Sequence, residues 1–279
     1  MANFTAADIK ALRERTGAGM LDVKKALDEA DGDQTKAMEI IRVKGLKGIS
    51  KREARSASDG LVAAVIQAEG DQQVGYLVEI NSETDFVAKN KVFTDLADRV
   101  VAAAAKSGAG DVEQLLAADA EGSTVADVVN DAAATLGEKL VVNRVQRVAG
   151  AHVSKYLHRT NKDIPPQVGV LVASDEAGAE AAHDVALHVA AYAPTYLNRE
   201  QVPEDQVADE RRIAEETAVN EGKPEKAIPK IIEGRLNGFF KDCVLLDQPF
   251  AKDPKQSVGK FVADTGGQIT GFARIRVGS

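Results

Sequence analysis

Along the first 56 residues, hydrophobic positions recur at helical spacing. Ala6, Ile9 and Leu12 form one stripe behind Thr5, whose hydroxyl suits an N-cap. Thr16-Gly17-Ala18-Gly19 breaks the stripe, because glycines reach the backbone angles of a tight reversal. Met20, Leu21, Val23, Ala26 and Leu27 mark a second helix. Asp31-Gly32-Asp33 turns the chain again, with Asp33 as expected cap of a third helix through Ala37, Ile40, Ile41 and Lys44. Beyond Gly60 the period changes. Residues 61–68 and 74–80 read as two strands joined by Glu69-Gly70-Asp71. A polar segment, 81–90, precedes a helix with Phe93, Leu96, Ala97, Val100, Val101 and Ala104 on one face. Helices are expected over 111–118 and 124–136, then a strand over 140–148.

The second half repeats this order. Residues 153–158 read as a strand and Asn161-Lys162-Asp163 as a turn. Val168-Gly169-Val170-Leu171-Val172 matches Val74-Gly75-Tyr76-Leu77-Val78, and the helical pattern 185–191 matches 96–102. The pattern predicts a duplicated hairpin-plus-helix unit. From Gly75 to Leu96 is 21 residues, against 16 from Gly169 to Val185, so the first copy carries five more, around 82–90. An extra polar loop on one copy of a scaffold is a candidate site. Residues 203–240 interrupt the second copy with two helical stripes around Gly222-Lys223-Pro224. One holds Val207, Ala214 and Ala218; the other holds Ile228, Ile231, Ile232, Arg235, Leu236 and Phe239. This reads as an antiparallel helical hairpin, a short coiled coil, with Pro229 in the first turn of its second helix. A short helix near 258–262 and a strand with Ile269, Gly271, Ala273, Ile275 and Val277 on one face close the chain. The predicted class is α+β. Its divisions are a helical unit with linker over 1–56, core subdomain one over 57–148, and core subdomain two over 149–279 with the hairpin 203–240 inserted.

The 279 residues suffice for two or three domains. A formal net charge of −8 argues against a dedicated nucleic-acid binder. The charge is uneven: residues 1–56 hold twelve Lys and Arg against nine Asp and Glu, a surplus of +3 that leaves −11 for the remainder. Within 42–55 lie six cations (Arg42, Lys44, Lys47, Lys51, Arg52, Arg55) and one acid, Glu53. This segment reads either as a solvated helix end and linker or as a contact for an anion or a partner. The single cysteine, Cys243, excludes an internal disulfide and suits a reducing cytoplasm. It sits in an apolar run and is expected to be a buried small hydrophobe. No run of 18 apolar residues and no signal-like start is present, so neither a membrane span nor export is expected.

Catalytic constellations are absent from the pattern. No phosphate loop occurs, and Gly17-Ala18-Gly19 follows a helix rather than a strand. His183 and His188 are five apart and His152 and His158 six, neither being the spacing of four that places two imidazoles on one helix face. No metal, cofactor or enzymatic activity is expected. Aromatic residues are scarce, 8 Phe and 4 Tyr with no Trp, which draws attention to Phe86 in the extra loop Ser82-Glu83-Thr84-Asp85-Phe86-Val87-Ala88-Lys89-Asn90. Two readings fit it. Either Phe86 folds back as a plug while Asp85 caps a helical turn, or Phe86 is a recognition tooth inserted into a partner.

Four ordered landmarks then carry a resemblance over nearly the whole chain. They are Leu12-Arg13-Glu14-Arg15-Thr16-Gly17-Ala18-Gly19-Met20 with Asp22-Val23-Lys24-Lys25-Ala26-Leu27; Glu79-Ile80-Asn81-Ser82-Glu83-Thr84-Asp85-Phe86-Val87-Ala88; Ile232-Glu233-Gly234-Arg235; and Gln248-Pro249-Phe250. Together they resemble the bacterial elongation factor Ts family. The resemblance implies a cytoplasmic guanine-nucleotide exchange factor for the GTPase elongation factor Tu, without covalent chemistry. It implies a ubiquitin-associated-like N-terminal domain with contacts at Met20, Leu21 and Lys24. In the core, Asp85 and Phe86 wedge between GTPase helices, and the segment Thr84, Asp85, Phe86 and Val87 dislodges Mg2+ from the phosphate site. It also implies a second contact at His158. Some relatives continue into a C-terminal helical module. This chain ends at Gly278-Ser279, so affinity is expected to rest on the N-terminal unit and the core. The alternatives are an RNA- or ribosome-associated protein using 42–55 and, by fold analogy alone, a ubiquitin-type binder.

Overall fold

The computed structural model describes residues 3–46 and 52–279. The N-terminal helices form where the stripes predict. Helix α1 (Ala6–Thr16) starts with a Thr5–Asp8 capping box and ends at Gly17, whose φ of 68° is left-handed. Helices α2 (Met20–Glu29) and α3 (Gln34–Leu46) follow, and the Asp33 carboxylate accepts the Thr35 and Lys36 amides at 2.9 and 3.1 Å. Leu12, Val23, Ala26, Leu27, Ala37 and Ile41 make their core.

In the first half of the core, β1 (Asp59–Glu69), β2 (Gln72–Ser82) and β3 (Val141–Gly150) form an antiparallel sheet in that order. Between β2 and β3 run the short helix α4 (Asp85–Ala88), α5 (Lys91–Ser107), α6 (Val112–Ala117) and α7 (Val125–Leu136). Tyr76, Val78 and Ile80 of β2 face Phe93, Val100 and Leu115 in one core. The second half repeats the plan. A sheet ordered β4-β5-β8 is built from β4 (His152–His158), β5 (Val168–Ser174) and the final strand β8 (Ile269–Arg276). Helix α8 (Ala179–Tyr192) covers its outer face. The hairpin α9 (Glu204–Asn220) and α10 (Ile228–Cys243) is inserted between α8 and a two-stranded ribbon, β6 (Pro249–Phe250) with β7 (Asp253–Ser257), after which α11 (Val258–Ala263) leads to β8.

The two sheets stack face to face. Val62 and Leu77 from one meet Val153, Leu171, Ala173, Ala273 and Ile275 from the other. Strands β2 and β5 are therefore covered on both faces, which explains their unbroken apolar runs. Glu79 of β2 is completely buried at this junction. Its carboxylate accepts from Arg144 Nε (2.6 Å), Asn81 and Asn143 amides (3.0 and 3.2 Å) and the Gly278 backbone N–H (3.0 Å). Four donors offset the desolvation of one charge and tie the C-terminal residues to the first sheet.

The N-terminal helices rest on α7. A Cβ at Gly45 would collide with the Ala134 carbonyl, so only glycine permits this approach of α3. Gly17 lies against Leu136 and Asn90, and Arg42 pairs with Asp131. The inserted hairpin packs on itself through Ala214, Ile232 and Leu236, with Val207, Ile228 and Phe240 partly buried around them. Phe240, rather than Phe239, continues the seam, because 228, 232, 236 and 240 keep the one-turn spacing. Arg235 instead pairs with Glu221 at the surface. Among the described residues, no helix is long and apolar enough to cross a membrane.

Candidate functional site

The extra loop of the first copy is an ordered turn. Ser82 Oγ donates to the Thr84 carbonyl at 3.0 Å, and extended Thr84 is the N-cap of α4, its Oγ1 accepting from the Val87 amide at 3.4 Å. The cap is thus Thr84 and not Asp85. Asp85, at the first helical position, instead pairs with Lys89 Nζ at 2.7 Å, one turn on. Val87 and Ala88 point into the core of the first half, so they clamp the turn from below. Phe86 points the opposite way and is 80% exposed, with Lys89 Nζ 5.7 Å from its ring centre. Phe86 does not fold back as a plug.

Two acidic residues that the local pattern did not single out hold this turn. Glu138, after α7, accepts from Thr84 Oγ1 at 2.6 Å and from the Thr84 amide at 3.0 Å. Glu83 accepts the Lys139 amide at 2.6 Å and pairs with Arg55 at 3.2 Å. The bonds from Glu138 to Thr84 and from Lys139 to Glu83 join residues more than fifty positions apart, and the Glu83–Arg55 pair spans 28, so no short-range sequence signal could expose them.

Phe86 borders a groove of about 480 Å³ lined also by Ala6, Ile9, Met20, Val87 and Asn90. Met20 is 60% and Leu21 72% exposed at the start of α2, and Lys24 is exposed one turn beyond Met20. The fold therefore brings Met20 beside Phe86 and Val87, while Leu21 and Lys24 continue along the same short helix. His158 lies elsewhere, exposed at the end of β4 with Nδ1 3.0 Å from the Tyr156 hydroxyl. Its neighbours Leu157 and Arg159 line a second groove with Thr94 and Asp98 of α5, the helix that starts just after the Phe86 turn.

The remaining candidates lack reactive geometry. No group of three metal-ligating side chains occurs among the described residues. Cys243 is half-buried rather than buried. Desolvation, with Asp242, Asp247 and Glu210 nearby, pushes its thiol pKa up and so disfavours the nucleophilic thiolate. His188 is completely buried, Nε2 2.9 Å from Gln248 Oε1 and Nδ1 accepting from the Ala251 amide at 3.1 Å. This bonding selects the neutral Nε2–H tautomer, and burial pushes its pKa down. Of the basic segment, Arg42, Lys44 and Arg55 pair with Asp131, Glu29 and Glu83, and Arg52 donates to the Gly45 carbonyl at 2.8 Å. Lys47 and Lys51 lie outside the described residues.

The class defined by these features is a duplicated α+β protein with an N-terminal helical unit and an inserted hairpin, presenting an apolar surface around one exposed phenylalanine. The model of the family described as Elongation factor TS matches residues 83–279. Proteins named Elongation factor Ts from Beutenbergia cavernae, Micrococcus luteus and Kineococcus radiotolerans are 68%, 64% and 55% identical, each over 100% of both chains. The chain belongs to the elongation factor Ts family.

Proposed function

We propose that this chain is a guanine-nucleotide exchange factor of translation, working in the cytoplasm on the GTPase elongation factor Tu. It binds the GDP-bound and nucleotide-free forms, needs no cofactor and performs no covalent chemistry. Exchange of this kind is negative coupling: a factor that prefers the empty GTPase must weaken nucleotide binding by the same ratio. The observation that carries the reading is Phe86, 80% exposed on a turn anchored by buried Val87 and Ala88. An exposed aromatic on a rigid base is poised to bury its ring in a partner, which contributes about 1.5–3 kcal/mol.

In this reading Phe86 wedges helices of the GTPase apart while Asp85 leaves Lys89 and competes for polar partners there. Displacement by the segment Thr84, Asp85, Phe86 and Val87 dislodges Mg2+, removing the counter-charge of the GDP phosphates and speeding release. Met20, Leu21 and Lys24 extend the contact along the N-terminal unit 1–56, and His158 supplies a separate contact from the core. The divisions 57–148 and 149–279 then carry the tooth and the second contact, with the hairpin 203–240 projecting from the latter.

RNA binding through 42–55 has weaker support, since four of its six cations already have partners within the chain. The test is release of labelled GDP from elongation factor Tu with and without this protein. Marked acceleration at micromolar concentration is expected, and its absence would sink the reading. Tight RNA binding that weakens steeply with salt would favour the other.

A further inference from the structure

We propose that Glu138 is a positioning residue for the exchange tooth: its carboxylate takes both polar hydrogens of Thr84 and thereby sets the turn that aims Phe86. The inference deepens the exchange reading and rests on it.

A helix of four residues, such as Asp85–Ala88, cannot hold itself, because nucleating a single turn is unfavourable and little propagation follows. Its geometry must come from outside. Thr84 has one hydroxyl hydrogen and one amide hydrogen, and Glu138 accepts both, at 2.6 and 3.0 Å. Donation of the hydroxyl hydrogen to Glu138 leaves the oxygen lone pairs for the Val87 amide, so the external bond orients the internal cap. Because the acceptor is ionised and receives two donors, the contact is stronger and more directional than a neutral one.

The brace is reciprocal. Glu138 holds residue 84, while Glu83 holds the amide of residue 139. Lys139 Nζ in turn donates to the carbonyls of Glu53 and Arg55, at 2.7 and 3.0 Å. The loop after α7 is therefore fastened to the base of the tooth and to the segment leaving the N-terminal helices. Those helices sit on the same α7, with Gly45 at Ala134 and Gly17 at Leu136. Helix α7 and the loop after it thus seat both apolar elements that flank the groove at Met20 and Phe86.

A positioning role separates two quantities. Phe86 on a loosened turn can still bury its ring in a partner, but it transmits less displacement to the nucleotide site. Loss of Glu138 therefore lowers the maximal rate of GDP release more than it raises the half-saturating concentration.

The experiment compares the full chain with Glu138→Ala and Glu138→Gln, by amide hydrogen exchange and by GDP release from elongation factor Tu. In Glu138→Ala the Thr84 and Val87 amides are expected to exchange about tenfold faster, and maximal GDP release to fall about tenfold. The half-saturating concentration and the protection of α5 stay close to those of the parent. Glu138→Gln, which keeps one acceptor oxygen, falls between the two and serves alone if the alanine variant fails to fold. Unchanged protection over 84–88 would overturn the proposal, as would a loss confined to the half-saturating concentration. If the parent chain releases no GDP, the exchange reading fails, and the proposed role in aiming an exchange tooth fails with it. The amide exchange still reports separately whether Glu138 orders the turn.

Discussion

Gly75 of β2 lies directly against Leu171 of β5: a Cβ built on the glycine would come within 2.9 Å of Leu171 Cδ1 and 3.0 Å of Val153 Cγ1. The reverse contact exists in the other copy, where a Cβ on Gly169 would come within 3.0 Å of Leu77 Cδ2 and 2.5 Å of Val62 Cγ1. The leucine of each repeat thus fills the space left by the glycine of the other. Leu77 and Leu171 are fully buried, so their methyl groups have nowhere to retreat. Gly75→Ala and Gly169→Ala should each destabilise the protein by about 1–3 kcal/mol. The measurement is a urea midpoint with unchanged m-value; parent-like stability in both variants would mean that the sheets can separate without cost.

Replacing Glu79 by Gln puts an NH2 group among donors that now all point at oxygen. The predicted loss is about 2–4 kcal/mol, set by the hydrogen bonds to a buried charge. Because Gly278 N–H is one of those donors, amide exchange at the C-terminus should accelerate before the strands open. Retained protection at Gly278 in Glu79→Gln would contradict this account.

His188 makes stability depend on pH. Burial holds its folded pKa below the ordinary value of 6.5, although the Gln248 bond opposes the shift. The unfolded chain therefore binds more protons in the window between the lowered value and 6.5. The contribution of neutral His188 is complete above that window and is lost as pH falls through it. Protonation would also oblige Nδ1 to carry a hydrogen toward the Ala251 amide that now donates to it. Denaturation midpoints should fall on acidification from pH 7 to about 5.5, with a shallower slope in His188→Phe. Equal slopes would remove His188 as the cause.

Phe86→Ala should leave stability within about 0.5 kcal/mol of the parent, since the ring is largely in solvent. GDP release should slow by about tenfold or more, the equivalent of burying one aromatic side chain, and by more than binding weakens. Stopped-flow release and titration calorimetry separate the two quantities. An unchanged release rate would leave the family intact and remove the tooth.

Much of this architecture is legible along the chain. Thr5 and Asp33 announce their helices because a capping hydroxyl or carboxylate acts on amides two or three residues away. The matching runs around Gly75 and Gly169 reveal the duplication, since both faces of β2 and β5 are buried and a buried strand must be apolar throughout. The scarcity of aromatic residues and the five additional residues of the first copy mark Phe86. The orientation of Phe86 was not legible. Polarity around it was compatible with a plug or a tooth, and the choice depended on Val87 and Ala88 entering the core beneath it.

Local spacing determined the helices, the strands, the repeat and the place of the extra loop, because each is recorded within a few residues by periodicity and capping. Long-range packing alone decided that Leu171 covers Gly75, that Glu79 collects four donors, and that Glu138 reaches Thr84 across a sequence separation of 54. Such pairings arise when distant segments are brought within hydrogen-bond or van der Waals reach. An isolated Glu or Gly carries no mark of the partner it will meet.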